Sequence, residues 1–358
     1  MKMAKKVLAV ICVVALLAGV LSTVGYAAGA DRDYTIVNPY ADVDWSWNQY
    51  KSDLHTHTTA SDGRDSLKDM LEINYQYGFD VYAVSDHGLT SYSWTEQQVI
   101  PALKVFVDMK QPNTEMVVLD KEGGLTFDGD RYDVVTENGG DYYYQTFEDG
   151  SVGQKRLRVP FANEQNPSSL NNAHVNTWFV DYGNGILGGT SDYETPIKAV
   201  DELGGLSVIN HPGEYTNARD EDCTADAYDY SDTMYKYYID KFTTLLRDYP
   251  TCMGIDINSK GDSRTRFDRK LWDILLMNLA PEGRNVLGIA TSDAHSVDAA
   301  YTGYTMMLMP ETTVDNLKTA MSNGAFFAAS KKLGNNEELK EICNYLLENG
   351  DAEAVAIA

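Results

Sequence analysis

The chain has 358 residues, 43% hydrophobic and 23% charged, an ordinary globular composition with enough length for one barrel-sized α/β domain or two modest ones. Its net charge of −24 disfavours a long polyanion such as nucleic acid, and no run of Lys or Arg offsets it. A small phosphate ester is compatible, because bound cations can reverse the local potential.

The N-terminus has the layout of an export signal. Lys2, Lys5 and Lys6 precede the apolar run Val7 to Leu21, and Ala28-Gly29-Ala30 matches an A-x-A cleavage site. Residues 1–30 are therefore expected to be removed, leaving a secreted or extracytoplasmic protein with no stable membrane association. An uncleaved membrane anchor is the alternative, but the run is shorter than the roughly 20 apolar residues a span needs. Cys12 follows Ile11 where a lipobox needs a small residue. Cys223, Cys252 and Cys343 remain after cleavage, too few and odd in number for a disulfide framework, though a Cys223–Cys252 bridge stays open.

Residues 31–50, with Trp45 and Trp47, read as a lead-in on the outside of the domain. A first strand is expected over 51–57 and a helix over 66–77, with Leu67, Met70, Leu71 and Ile73 on one side and Gly78 as its stop. A second strand follows at 81–84, a helix near 95–109 interrupted by Pro101, and a third strand at 115–119. Residues 125–172 are rich in Gly, Asp, Tyr and Asn and read as an inserted β-hairpin lobe. Further strands are expected at 174–180, 206–210, 252–257, 285–290 and 304–309. Helices are expected at 195–203, 233–247, 268–279 and 314–322. The tail 331–358 shows no chemistry. This alternation indicates parallel β/α units in a closed or nearly closed ring, with a doubly wound open sheet as runner-up.

The polar residues collect where strands end: His55-x-His57, Asp62, His87, Glu122, His174, His211 and Asp293-x-His295. All six histidines of the chain are among them. In a β/α barrel that edge carries the active site. Two histidines two apart at a strand end face the same side. With three carboxylates the set suffices for about three divalent ions, each keeping positions for water and substrate. Mixed imidazole and carboxylate donors suit Zn, Mn or Fe without choosing among them.

The motifs DLHTHTTASDG, AVSDHG, INHPGEY and GIATSDAHS, spread from Ser52 to Ser330, resemble the PHP (polymerase and histidinol phosphatase) family of metal-dependent phosphoesterases. The resemblance implies a distorted seven-stranded, TIM-like β/α barrel over 31–330, here carrying the β-rich lobe 125–172, and a trinuclear site. It implies that His55, His57, Glu122 and Asp293 hold one ion. Glu122 would bridge to a second ion on His174 and His211, and Asp62, His87 and His295 would hold the third. The family's glutamate sits in a Gly-x-Glu turn and its next histidine follows closely. Here Asp120-Lys121-Glu122 and the distant His174 depart from that pattern, leaving Glu115 and Asp120 as fallbacks.

The implied activity is hydrolysis of a small phosphate mono- or diester by a metal-bound water, with no protein nucleophile. Asp53 and Asp86 are candidates to orient imidazole N–H groups, and Lys260, Arg264 and Arg266 to bind the phosphate. An amidohydrolase-type hydrolase is disfavoured because no metal-bridging lysine ends a strand. A non-catalytic metal-binding or scaffold domain is the other alternative. No protein partner is inferred.

Overall fold

The computed structural model describes residues 43–94, 126–127, 130–165, 173–183, 192–214, 233–259 and 265–330. All belong to the unit Pro39–Ala358. Its strands are β1 (Asn48–Asp53), β2 (Val81–Tyr82), β3 (Thr126–Phe127), β4 (Asp130–Glu137), β5 (Gly140–Thr146), β6 (Arg156–Arg158), β7 (Asn163–Gln165), β8 (Val175–Trp178), β9 (Leu206–Ile209), β10 (Cys252–Asn258), β11 (Leu287–Ala290), β12 (Gly303–Met309) and β13 (Phe326–Ser330). The helices are α1 (Leu67–Gln76), α2 (Glu194–Leu203), α3 (Thr233–Asp248), α4 (Thr265–Leu279) and α5 (Val314–Asn323). No helix among the described residues is long and apolar enough to cross a membrane.

Local chemistry sets the helix ends. Ser66 accepts from the Asp69 N–H and opens α1, which buries Leu67, Met70, Leu71 and Asn74 at helical spacing. Thr313 caps α5 in the same way. α2 and α5 both stop at a left-handed glycine, Gly204 and Gly324, a conformation that costs glycine nothing.

The strands form two sheets, ordered β13-β12-β1-β2-β6-β5-β4-β3 and β11-β10-β9-β8-β7. Parallel ladders run through β1-β2-β6 and β9-β10-β11, as the alternation of strands and helices implies. β12 is antiparallel to β1, and β8 is antiparallel to both β7 and β9. The expectation of uniformly parallel strands is corrected here. β7 and β8 are separated by fewer residues than the dozen or more a parallel crossover needs. Two isolated parallel bridges, Thr56↔Ala294 and His87↔Glu164, tie one sheet to the other just beyond β1 and β2. Among the described residues no continuous ladder closes the ring.

The expected third strand, 115–119, and the helix at 95–109 lie outside the described residues. β6 pairs in parallel with β2, Val81 with Leu157, and occupies the place beside it. The segment 125–172 is thus not one peripheral lobe. β3, β4 and β5 form an antiparallel meander, whereas β6 and β7 belong to the central sheets. Its Gly- and Tyr-rich composition concealed two very short strands.

Leu54, Val81, Leu157, Trp178, Val208, Ile289 and Met307 fill the interior between the sheets. Ile197, Phe242, Leu246, Leu271 and Leu275 pack helices over the second sheet. β10 approaches β11 closely at Gly254, where an added Cβ would fall 1.8 Å from the Leu287 carbonyl oxygen. Since a backbone atom cannot yield as a side chain can, Gly254→Ala should destabilise the protein by about 3 kcal/mol, the upper end of ordinary overpacking. A denaturant midpoint followed by circular dichroism checks this, and an unchanged midpoint contradicts it.

Candidate metal centre

His55 and His57 stand two and four residues beyond β1, on the segment that the Thr56↔Ala294 bridge brings against the loop after β11. They face the same side: their Nε2 atoms lie 3.0 Å apart. Between them and the other histidines stands Glu164 of β7, 1% exposed. Its Oε2 lies 3.3 Å from His55 Nε2, 3.2 Å from His57 Nε2 and 3.0 Å from His87 Nδ1. Its Oε1 lies 2.9 Å from His174 Nδ1 and 3.5 Å from His211 Nε2. Asp293 completes the inner group, with Oδ1 3.3 Å from His55 Nε2 and 3.1 Å from His57 Nε2, and Oδ2 3.3 Å from His211 Nε2.

A third group lies nearer solvent. Asp62 Oδ1 is 3.3 Å from His295 Nε2 and 3.5 Å from His57 Nδ1, and Oδ2 is 3.4 Å from His87 Nε2. The side chains of Asp62 and His295 are 24% and 28% exposed, against 0% for His55 and His57. The arrangement is a buried inner cluster bordered by a more exposed group at its mouth.

Of the residues singled out from the sequence, the structure brings together His55, His57, Asp62, His87, His174, His211, Asp293 and His295. Glu122, with Glu115 and Asp120, lies outside the described residues, as do Lys260 and Arg264. Arg266 lies within α4, and its side chain too is outside them. The central carboxylate in this structure, Glu164, was not singled out. A signal for it existed, since Glu164 precedes His174 by only ten residues. His174 itself sits before β8, not after a strand. Because β8 runs antiparallel to β9, that position falls beside the end of β9, and the Asn210 N–H donates to the His174 carbonyl at 3.0 Å.

Buried aspartates brace the segments that carry these groups. Asp53 accepts from the Ser292 hydroxyl at 2.5 Å, from Ser292 N at 3.2 Å and from His55 N at 3.3 Å. It grips backbone and a hydroxyl, not an imidazole N–H as the sequence suggested, and so pins the end of β1 to the residue before Asp293. Asp86 accepts from Thr58 N, the Thr58 hydroxyl and the Ser61 hydroxyl at 2.8, 2.7 and 2.6 Å, holding the loop between His57 and Asp62. His211 and Asp293 have φ of 22° and 46°, a left-handed backbone that non-glycine residues adopt at a cost and that clusters at functional sites.

The electrostatics match a site built for cations. Burial alone would raise Glu164, yet His55, His174 and His87 hold its carboxyl well below the ordinary range. Burial likewise opposes Asp62, which His87 and His295 hold well below that range. His174 goes the other way: burial lowers it to about 4, against the pull of Glu164. Among the described residues the donors are nitrogen and oxygen atoms without thiolate, and they fall into four overlapping groups, the atoms within each lying within 4.8 Å of one another. So many lone pairs converging out of water suit divalent ions of hard or borderline character. Chelation should therefore lower the thermal midpoint, and Mn or Zn at about 100 times the dissociation constant should restore roughly 2.7 kcal/mol. Glu164→Ala should blunt that response; a midpoint indifferent to chelator and metal would count against the site.

No protein-family model matches the chain, and no curated protein does. Solved structures similar to it include a two-domain protein of Bacteroides vulgatus containing a predicted PHP-like metal-dependent phosphoesterase, 16% identical, with 87% of this chain and 73% of that one covered at a TM-score of 0.43. A lesion-specific endonuclease of Pyrococcus furiosus is 12% identical over 78% of this chain and 58% of its own, with a TM-score of 0.41. A candidate metal-dependent phosphoesterase of Bifidobacterium adolescentis is 12% identical over 84% and 97%, with a TM-score of 0.34. Two of these three structures are named as PHP-like or metal-dependent phosphoesterases.

Proposed function

We propose that this chain is a metal-dependent phosphoesterase, a hydrolase of small phosphate esters with a trinuclear site on a distorted PHP-type β/α barrel. The observation that carries the reading is Glu164: a buried carboxylate whose two oxygens are shared among five imidazoles, the arrangement needed for a carboxylate bridging two ions. His55, His57, Glu164 and Asp293 would hold one ion, and Glu164, His174 and His211 a second. Asp62, His87 and His295 would hold the third at the mouth. Bound there, divalent ions supply Lewis acidity toward phosphoryl oxygens and activate water for attack on phosphorus.

The chain's own part is orientation and exclusion of bulk water. Asp53 keeps the two ligand-bearing loops after β1 and β11 in register, Asp86 holds the loop between His57 and Asp62, and the buried inner groups keep their charges in a medium where electrostatic attraction is strong. The partly exposed mouth group meets substrate first. Its limited opening, with the chain's acidity, favours a small ester over a long polyanion. Hydrolysis breaks a phosphorus–oxygen bond, with the water oxygen joining phosphorus and the alcohol leaving with a proton.

The test is elemental analysis of the purified protein with turnover of p-nitrophenyl phosphate and bis-p-nitrophenyl phosphate, beside His211→Ala. The expected result is about two to three ions per chain and at least a 100-fold loss of turnover in the variant. The preferred ester sorts mono- from diesterase. Fewer than one ion per chain, with no turnover after adding Mn or Zn, would leave a non-catalytic scaffold. The export reading makes a separate prediction: protein recovered outside the cytoplasm should begin at Asp31, and N-terminal sequencing that finds Met1 retained would favour the membrane anchor.

A further inference from the structure

Resting on the metal-centre reading above, we infer that Asn210 is a positioning residue that sets the orientation of the Glu164 carboxylate and thereby governs the ion position at His174 and His211. Asn210 is fully buried directly after β9 and reaches three candidate ligands at once. Its Nδ2 donates to Glu164 Oε1 at 2.8 Å. Its backbone N–H donates to the His174 carbonyl at 3.0 Å. Its own carbonyl carbon is bonded to the nitrogen of His211, whose φ is 22°.

The chemistry fixes which way the amide points. An ionised carboxylate only accepts, so the NH₂ end must face Glu164. The Oδ1 end finds no hydrogen-bond partner among the described residues, so the side chain is held by its donor side. An amide buried at a polar cost is better explained by a task than by packing, since an aliphatic side chain would fill the space without that cost.

The task follows from the two faces of Glu164. Among the described residues, Oε2 is met by imidazole nitrogens of His55, His57 and His87. Oε1 is met by His174, His211 and the Asn210 amide. A carboxylate is free to rotate about its last bond, and a bridging role needs it locked with one oxygen toward each ion. The Asn210 donor anchors Oε1 on the His174 and His211 side. Loss of the donor leaves that oxygen to the His174 and His211 imidazoles alone, while Asp293, His55 and His57 still define the other position by themselves. Groups that orient a ligand in this manner are typically worth 10- to 100-fold in metal affinity.

The experiment measures metal content at clamped free Zn²⁺ for the wild type, Asn210→Leu and Asn210→Asp, together with the visible absorption of the Co²⁺-loaded proteins. Leu keeps the bulk without the donor, and Asp keeps the shape but replaces the donor with an acceptor. The backbone contact to His174 survives in both, so a variant that unfolds on thermal denaturation leaves the other to report. The expected result is that one ion per chain weakens by about 10- to 100-fold in both variants, with the Co²⁺ spectrum altered in proportion and the remaining ions within about threefold of wild type. Unchanged affinity at every position overturns the inference, and so does an equal weakening of all ions, which would mark a merely structural role. A wild-type protein that binds no ion at all would sink the metal-centre reading as well, an outcome distinct from either of these.

Discussion

A carboxylate removed from water among imidazoles is the constraint on which this molecule turns. Burial by itself would push the Glu164 carboxyl up, and the imidazoles of His55, His174 and His87 around it hold it well below the ordinary range instead. To surround one side chain this way, the fold must bring together the ends of β1, β2, β9 and β11 with the start of β8. The two isolated bridges between the sheets fall at Thr56 and His87, on the very segments that carry these groups. The sheets therefore meet at the site, and the site is where the fold's two halves are registered.

Holding that register consumes further buried charge. Asp53 lies beside Ser292 and burial raises its carboxyl to about 7. Asp256 of β10, which accepts from the Thr291 hydroxyl and from Asn258 N, is raised by burial to about 6. Such groups are poor contributors to stability, because desolvation offsets most of what their hydrogen bonds return. Their value is specificity of placement. Asp53 and Asp256 both fasten the loop after β11, where Asp293 takes up its left-handed backbone. A loop free to relax would have no reason to hold that conformation.

The site also has a direction. Among the described residues the inner groups are closed off, while Asp62, His87 and His295 are partly open. The two sheets, bridged at Thr56 and His87, give the groups a common place on which to converge.

How much was legible in the sequence depended on whether the information was local. HTH, SDG, SDH and SDAH each place their groups within a few residues, so local spacing marked six of the residues that the structure gathers, while His174 and His211 were marked by their places at expected strand ends. Strand and helix positions were equally local, as with β10 and α3, because hydrophobic periodicity and capping act within a turn or a strand. Glu164 was not legible in that way. Nothing in FANEQ marks its glutamate; it becomes central because β7 lies beside β8 and because the His87 bridge crosses to it. The direction of β8 was hidden for the same reason: a run of four apolar and polar residues reads identically in either sense, and only its pairing with β9 puts His174 beside Asn210 and His211. By itself the sequence determined the ligand types, their local spacing and the secondary structure that carries them, since these follow from neighbouring residues. Tertiary structure alone decided which carboxylate stands at the centre and which groups share it, because that depends on strand pairing between segments far apart in the chain.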